Sequence, residues 1–293
     1  MEFKFVSISK SFGSTEVLDN ISGTVKDGVT GILGTNGSGK TTFVKILAGL
    51  LKAEKGIFNL NGSDVDLESQ AWRNKIGYLP QSPGLYNRMT VYEFLDYMLL
   101  LSRWGNRRER KDRINEIVGE LNLVQYLDNP IGHLSGGTKQ RAAIAQAIIH
   151  NPEIIFLDEP TNNLDAEERE RFNNYLLKIS EAKIILYIGH IVNELVSICS
   201  NVLLIGDKQI RFYDAPCKMI EASMPFIKEI VVTKDEFENN FAGSKAVLSS
   251  ALKDGSIVVH YDCRIVEIPS GMPVTPTLEE SYKAFNNSNC IKS

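Results

Sequence analysis

The run Gly34-Thr35-Asn36-Gly37-Ser38-Gly39-Lys40-Thr41-Thr42 sets a lysine and two threonines directly behind three glycines. Its spacing is G-x-x-x-x-G-K-[ST], that of a loop that wraps phosphate groups. Glycines let the backbone approach an anion with no Cβ in the way. The loop's N–H groups and the N-terminus of a following helix point at one spot and favour negative charge there. In such a loop Lys40 reaches the terminal phosphates and the Thr41 hydroxyl can hold a magnesium ion. A glycine-rich turn that matched by accident would lack suitable flanks. Here Val29-Thr30-Gly31-Ile32-Leu33 reads as a buried strand, and Phe43-Val44-Lys45-Ile46-Leu47 as the start of a helix. Residues 34–42 are the candidate nucleotide cradle.

A second block carries acid–base chemistry. Ile154-Ile155-Phe156-Leu157 runs straight into Asp158-Glu159-Pro160. Four apolar residues in a row suit a central parallel strand buried on both faces. Carboxylates at its C-terminal end stand where ligands bind in open α/β sheets. Asp158 is the candidate holder of magnesium, and Glu159 the candidate base for an attacking water.

Leu134-Ser135-Gly136-Gly137-Thr138-Lys139-Gln140-Arg141 lies between these blocks and opens a helix. It resembles the LSGGQ signature of ATP-binding cassette (ABC) ATPases, with Thr138 in place of the usual glutamine. The resemblance extends to other stations in order. Phe12, in Ser11-Phe12-Gly13, resembles the adenine-stacking aromatic. Gln81, in Tyr78-Leu79-Pro80-Gln81, is similar to the Q-loop glutamine. Asn163-Leu164-Asp165 is similar to the D-loop, and His190 resembles the switch histidine, with Glu194 one helical turn later. Asn163 and Ile188-Gly189 depart from the commonest forms. The likeness covers residues 1 to about 214.

The resemblance implies ATP and Mg2+ as cofactors and ATP hydrolysis as the activity. It implies Lys40, Gln81, Glu159 and His190 as the catalytic set, and Thr41, Gln81 and Asp158 around the metal. It also implies that one copy holds half a site: Ser135, Gly136 and Gly137 of one cassette meet the phosphate held by Lys40 of another, in a homodimer or heterodimer. A separate membrane-spanning permease subunit would turn the cycle into transport, docking near Leu85, Tyr86 and the region up to Tyr92.

The elements that must position these residues can be read coarsely. Residues 2 to about 30 alternate in hydrophobicity with glycine turns, as antiparallel strands do. From Gln81 to about Asn151 the pattern is helical. Thr90 and Glu93 have capping-box spacing, and a second helix, Ile114 to Leu121, follows the basic cluster Arg107–Arg113. Ala166–Ile179 reads as a helix, Ile184–Gly189 as a strand, and Val202–Ile205 with Gln209–Tyr213 as a hairpin. Pro216 and Pro225 mark a boundary. Beyond it, Ile230–Val232, Ile257–Val259 and Arg264–Val266 read as strands and Lys245–Leu252 as helical. A last helix is capped by Thr277 and Glu280, with Leu278, Tyr282 and Phe285 on one face.

The expected fold is α/β: a P-loop NTPase (RecA-like) core with an antiparallel β subdomain, an inserted α-helical subdomain at about 82–150, and a small α+β C-terminal appendage. The division is a cassette over 1–214 and an accessory domain over 215–293. That appendage loosely resembles those of drug- and peptide-export ABC ATPases.

Composition bounds the function. The chain has 293 residues and 43% hydrophobic content, ordinary for a globular protein. No apolar run reaches the roughly 18–20 residues of a spanning helix, and the N-terminus has no signal-peptide pattern. A cytoplasmic protein, peripheral on the inner face of the cell membrane, is expected. The net charge is −4, which argues against nucleic acid as a partner. Four scattered cysteines, Cys199, Cys217, Cys263 and Cys290, read as reduced thiols. Alternatives stand beside an exporter subunit. One is a soluble ABC ATPase in translation or DNA repair, disfavoured by the lack of a second cassette or coiled-coil insert. Another is a regulatory or immunity ATPase bound to a membrane protein without transporting.

Overall fold

The computed structural model describes residues 1–189 and 192–287. Strands β1 (Glu2–Phe12) and β2 (Thr15–Lys26) form an antiparallel pair, followed by β3 (Gly28–Leu33) and helix α1 (Lys40–Leu47). Then come β4 (Lys55–Leu60), β5 (Ser63–Asp64), α2 (Gln70–Lys75) and β6 (Ile76–Leu79). The helical stretch holds α3 (Val91–Leu101), α4 (Arg107–Glu120) and α5 (Gly136–Ile148). Next are β7 (Ile154–Asp158), α6 (Ala166–Ser180), β8 (Ile184–Ile188), α7 (Val192–Ile198), β9 (Asn201–Gly206) and β10 (Gln209–Asp214). The C-terminal part comprises α8 (Pro216–Ser223), β11 (Ile227–Val232), α9 (Lys234–Asn240), β12 (Val247–Lys253), β13 (Ser256–Asp262), β14 (Met272–Pro273) and α10 (Leu278–Asn287).

The central sheet has the order β10-β9-β3-β8-β7-β6. Its inner neighbours β9-β3-β8-β7-β6 are parallel, and β10 closes one edge antiparallel. Every residue of β7 and β8 is buried, as expected of strands covered on both faces. Ile32 pairs with Ile188, and Asp158 with the same Ile188. The C-terminal ends of β3, β7 and β8 therefore lie side by side.

The antiparallel sheet β2-β1-β4-β5 packs over one face of the central sheet and over α1. Phe3, Phe5, Ile8, Phe43, Trp72, Phe156 and Leu186 share that core. Phe5 meets Phe43 edge-on at 5.2 Å, and Trp72 Nε1 donates to the Leu47 carbonyl at 3.0 Å. These contacts fix α1 and the loop leading into it. On the other face α3, α4, α5, α6 and α7 share a second core. Thr90 and Glu93 form the expected capping box of α3.

Helix α4 starts at Arg107, seven residues before the expected Ile114, because Asn106 and Glu109 form a second capping box. The basic cluster thus lies within the helix. Arg110 pairs with Asp96 at 2.7 Å, and Arg113 donates to the carbonyls of Ile148 and Ile149.

Two expectations for the C-terminal part fail. Lys245–Leu252 is not helical; β12 pairs there with β13. The turn between them is Asp254-Gly255, both with positive φ, a two-residue hairpin signal that outweighs helical spacing. Arg264–Val266 is a turn, not a strand. Buried Asp262 accepts from the Arg264 guanidinium and, through its carbonyl, from Ile265 N. The sheet β12-β13-β11-β14 carries α9 on one side. In contrast, α8 and α10 lie on the cassette: Met219 and Leu278 are buried in the same core as α6 and α7, with Tyr282 and Phe285 packed against it. Cys199, Cys217 and Cys263 are free thiols; Cys290 lies outside the described residues. Among those residues, no helix is long and apolar enough to cross a membrane.

Candidate nucleotide-binding site

The glycine loop joins β3 to α1. Gly34, Gly37 and Gly39 have φ of 154°, 79° and 97°, a region glycine adopts without strain. A Cβ at Gly34 would stand 2.4 Å from Ser38 Oγ and 2.5 Å from the Ile205 carbonyl. One at Gly39 would stand 2.8 Å from Leu18. Both positions are closed to any other residue, so the loop curls as the motif requires. Lys40 Nζ donates to the carbonyls of Gly34 at 2.8 Å and Thr35 at 2.9 Å. Burial pulls the Lys40 ammonium below the usual lysine range, an effect that Asp158 and Glu159 partly offset.

The loop floors a cleft of about 540 Å³ lined by Phe12, Val17, Asn36, Gly37, Gly39, Lys40, Thr41, Thr42 and Gln81. Phe12 is 50% exposed at its wall. Lys10 Nζ stands over its ring, 5.4 Å from the centroid, and a half-exposed aromatic beside a basic phosphate loop suits a base on one side and phosphates on the other. Gln81 follows β6 and completes the wall. A larger cleft, about 700 Å³, lies between α4 and α6 and holds none of the motif residues.

Thr41 Oγ1 donates to Asp158 Oδ2 at 3.1 Å, bringing the two motifs together. Asp158 is 1% exposed. Burial holds its carboxyl above the usual carboxylate range, against the Thr41 hydrogen bond. Glu159 takes a left-handed φ of 55°, sparsely populated for residues other than glycine and a mark of functional sites. Its N–H donates to the Ile188 carbonyl at 2.9 Å, and its Oε2 accepts from Asn162 Nδ2 at 2.6 Å. His190 lies outside the described residues.

Ser135, Gly136 and Gly137 are not among the walls of this cleft. Ser135 caps α5, accepting from Thr138 N at 3.2 Å, and Thr138 Oγ1 lies 2.9 Å from Ser135 Oγ. Thr138, in the place of the usual glutamine, is buried and also accepts from Arg141. A Cβ at Gly137 would stand 2.8 Å from the Asn163 carbonyl, so the D-loop lies against the signature. Arg141 pairs with Glu168 at 2.8 Å, tying α5 to the first turn of α6.

Sequence reasoning missed a buried polar knot behind the site. Tyr187, fully buried on β8, donates to Glu194 Oε1 at 3.3 Å and lies 3.1 Å from Thr161 Oγ1. Thr161 Oγ1 donates to Glu194 Oε2 at 3.3 Å. The knot joins the segment after Glu159 to α7. A Cβ at Gly189 would stand 2.9 Å from Tyr187 Cε1, so the unusual glycine before residue 190 makes room for the ring. A lone tyrosine in an aliphatic strand, followed by that glycine, was the available signal.

A family profile described as ABC transporter matches residues 18–162. The ABC transporter ATP-binding protein NatA of Bacillus subtilis is 36% identical over 200 residues, 67% of this chain and 80% of NatA. This chain belongs to the ABC transporter ATP-binding proteins. Other relatives of this ABC cassette differ in direction. The lipopolysaccharide export protein LptB of Haemophilus influenzae is 32% identical, over 68% of this chain and 85% of its own. The sulfate/thiosulfate import protein CysA of Escherichia coli is 30% identical, over 84% of this chain and 69% of its own. Among solved structures, a dimeric bacterial ABC transporter cassette superposes with a TM-score of 0.67 at 26% identity, covering 73% of this chain and 98% of its own. The same cassette in a post-hydrolysis state, bound to ADP and Pi, gives 0.66 at 27% identity, with the same coverage. This ABC cassette is an ATPase of α/β P-loop fold.

Proposed function

We propose that this ABC ATPase powers a separate membrane-spanning permease from the inner face of the cell membrane, as the subunit of an exporter. The observation that carries the catalytic assignment is the Thr41–Asp158 hydrogen bond, with Glu159 as the next residue. It supports reading Thr41 and Asp158 as a metal-binding pair, and Glu159 as the carboxylate base, at the end of a phosphate cradle.

Thr41 and Asp158 present hard oxygen donors of the kind magnesium prefers, and Gln81 faces the same cleft. Among the described residues, Ser38 Oγ is buried in the loop without a partner, as a group waiting for a phosphate oxygen would be. Bound there, Mg2+ would neutralise phosphate charge. Lys40 exchanges its two carbonyl partners for β- and γ-phosphate oxygens. Phe12 stacks on the base. Glu159 takes a proton from the attacking water as its oxygen bonds the γ-phosphorus, the bond to the β-phosphate oxygen breaks, and ADP and phosphate leave. The switch role of His190 rests on the resemblance alone.

Ser135, Gly136 and Gly137 act in trans. Their absence from the walls of the Lys40 cleft supports a head-to-tail dimer closed by ATP; its partner is a second copy or a related cassette. Tyr86, 50% exposed and packed edge-on against Tyr97 at 5.8 Å, belongs to the surface offered to the permease. The export direction rests on the resemblance of the α+β appendage. Co-purification from membranes tests the assignment: a polytopic membrane protein supports it, ribosomes or DNA contradict it. Inverted vesicles that accumulate cargo on ATP addition give the direction.

A further inference from the structure

Thr138 departs from the usual signature glutamine. It is buried, at 3% exposure, three residues after the exposed Ser135. Three hydrogen bonds meet at this pair. Ser135 Oγ accepts from Thr138 N at 3.2 Å. Thr138 Oγ1 accepts from Arg141 Nη2 at 3.2 Å. The two hydroxyl oxygens stand 2.9 Å apart.

The direction of that last bond follows from what each group can do. A guanidinium only donates, whereas a hydroxyl has one proton to give and two lone pairs to accept with. The Thr138 proton is buried and needs an acceptor, which Ser135 Oγ supplies. Ser135 is exposed, so its own proton can point out of the cassette instead. Arg141, at the head of this chain of bonds, is fixed. Its Nη1 donates to the Leu121 carbonyl at 3.2 Å, and its Nη2 pairs with Glu168 at 2.8 Å. Its guanidinium also lies over the Tyr126 ring, 5.7 Å from the centroid.

We propose that Thr138 is a positioning residue for hydrolysis: it donates to Ser135 Oγ and so turns the Ser135 proton outward, toward the γ-phosphate held by the opposing cassette. The relay runs from Arg141 through Thr138 to Ser135 and then across the dimer. Thr138 itself touches no nucleotide. A donor oriented before the dimer closes needs no reorganisation when charge develops on the phosphate. The inference rests on the signature acting in trans, as proposed above.

Steady-state hydrolysis of Mg-ATP by the full chain, assembled with its membrane partner, tests it. Thr138→Ser and Thr138→Ala lose the same methyl, and only the second loses the hydroxyl. Thr138→Ser should keep the wild-type kcat/KM. Thr138→Ala should lower kcat/KM about 2- to 10-fold, the scale of one net hydrogen bond. Ser135→Ala should lower it at least as far. Adding Thr138→Ala to Ser135→Ala should lower it no further, because no hydroxyl is left to orient; two residues acting independently would add their effects. Mg-ADP affinity of the full chain alone should stay at the wild-type value in every variant, since neither residue lines the Lys40 cleft. With Ser135→Ala impaired, four results overturn the relay. Thr138→Ser is as impaired as Thr138→Ala, or Thr138→Ala keeps the wild-type kcat/KM, or it lowers kcat/KM as much again without Ser135, or it weakens Mg-ADP binding. If Ser135→Ala hydrolyses normally, the in-trans reading fails and takes the relay with it.

Discussion

Thr41 and Asp158 lie 117 positions apart and meet through a 3.1 Å hydrogen bond. One opens the helix behind the glycine loop; the other ends a buried strand. The parallel strands β3 and β7, with β8 between them, bring the two together at the C-terminal end of the sheet, so the fold itself supplies the site.

That site works against stability. Burial raises the Asp158 carboxyl, so the folded chain binds its proton more tightly than the unfolded chain. Stability then falls as pH rises from the ordinary carboxylate range through the raised value. Asp158→Asn should therefore melt above the wild type near neutral pH without nucleotide. The gap should close on acidification to below the ordinary carboxylate range, and Mg-ATP should stabilise the variant less. A variant that melts below the wild type at every pH contradicts the burial cost.

Lys40 has the opposite sign. Burial lowers its pKa, so carrying the charge weighs on the folded state until pH rises through the lowered value. Nucleotide phosphates would remove that cost. Lys40→Ala should lose about 1.5–3 kcal/mol of ATP affinity, the scale of a hydrogen bond to a charged group. Calorimetry showing unchanged affinity would reject the phosphate-loop role.

Gly189 and Tyr187 form a matched pair. Gly189→Ala should destabilise the chain by about 1–3 kcal/mol, as overpacking does. Adding Tyr187→Leu should return part of that loss, because the smaller side chain leaves room for the new methyl. A thermodynamic cycle in which the two costs simply add would show that the pair does not interact.

The parts of the fold legible in sequence were those where one local rule acted alone. The unbroken apolar runs Ile154–Leu157 and Ile184–Ile188 had to be buried strands, and Thr90 with Glu93 had to start a helix. The placement of the loop between β3 and α1, and of Asp158 at the end of β7, was legible for the same reason. Legibility failed where two rules competed. At Lys245–Leu252 helical spacing suggested a helix, but the Asp254-Gly255 turn and pairing with β13 decided for a strand. The knot of Thr161, Tyr187 and Glu194 is built across three elements, so no short window of sequence contains it.

The placement of α10 sets a further expectation. Truncation after residue 214 removes Leu278 from the cassette core, and with it the partly buried Tyr282 and Phe285 packed against that core. At roughly 1.5–3 kcal/mol for a fully buried apolar side chain, the loss should lower the melting temperature markedly even though every nucleotide motif remains. A truncated chain that melts with the full-length protein and gains as much from Mg-ATP would show that the core closes without α10.

The central claim is that this cassette hydrolyses ATP with Glu159 as base. Its most direct test is single-turnover hydrolysis by Glu159→Gln beside the wild type, each with its membrane partner, together with light scattering in ATP. The variant should bind ATP, hydrolyse it about 100- to 10,000-fold more slowly, as loss of a general base predicts, and accumulate as a closed dimer. Wild-type turnover by Glu159→Gln would contradict the account.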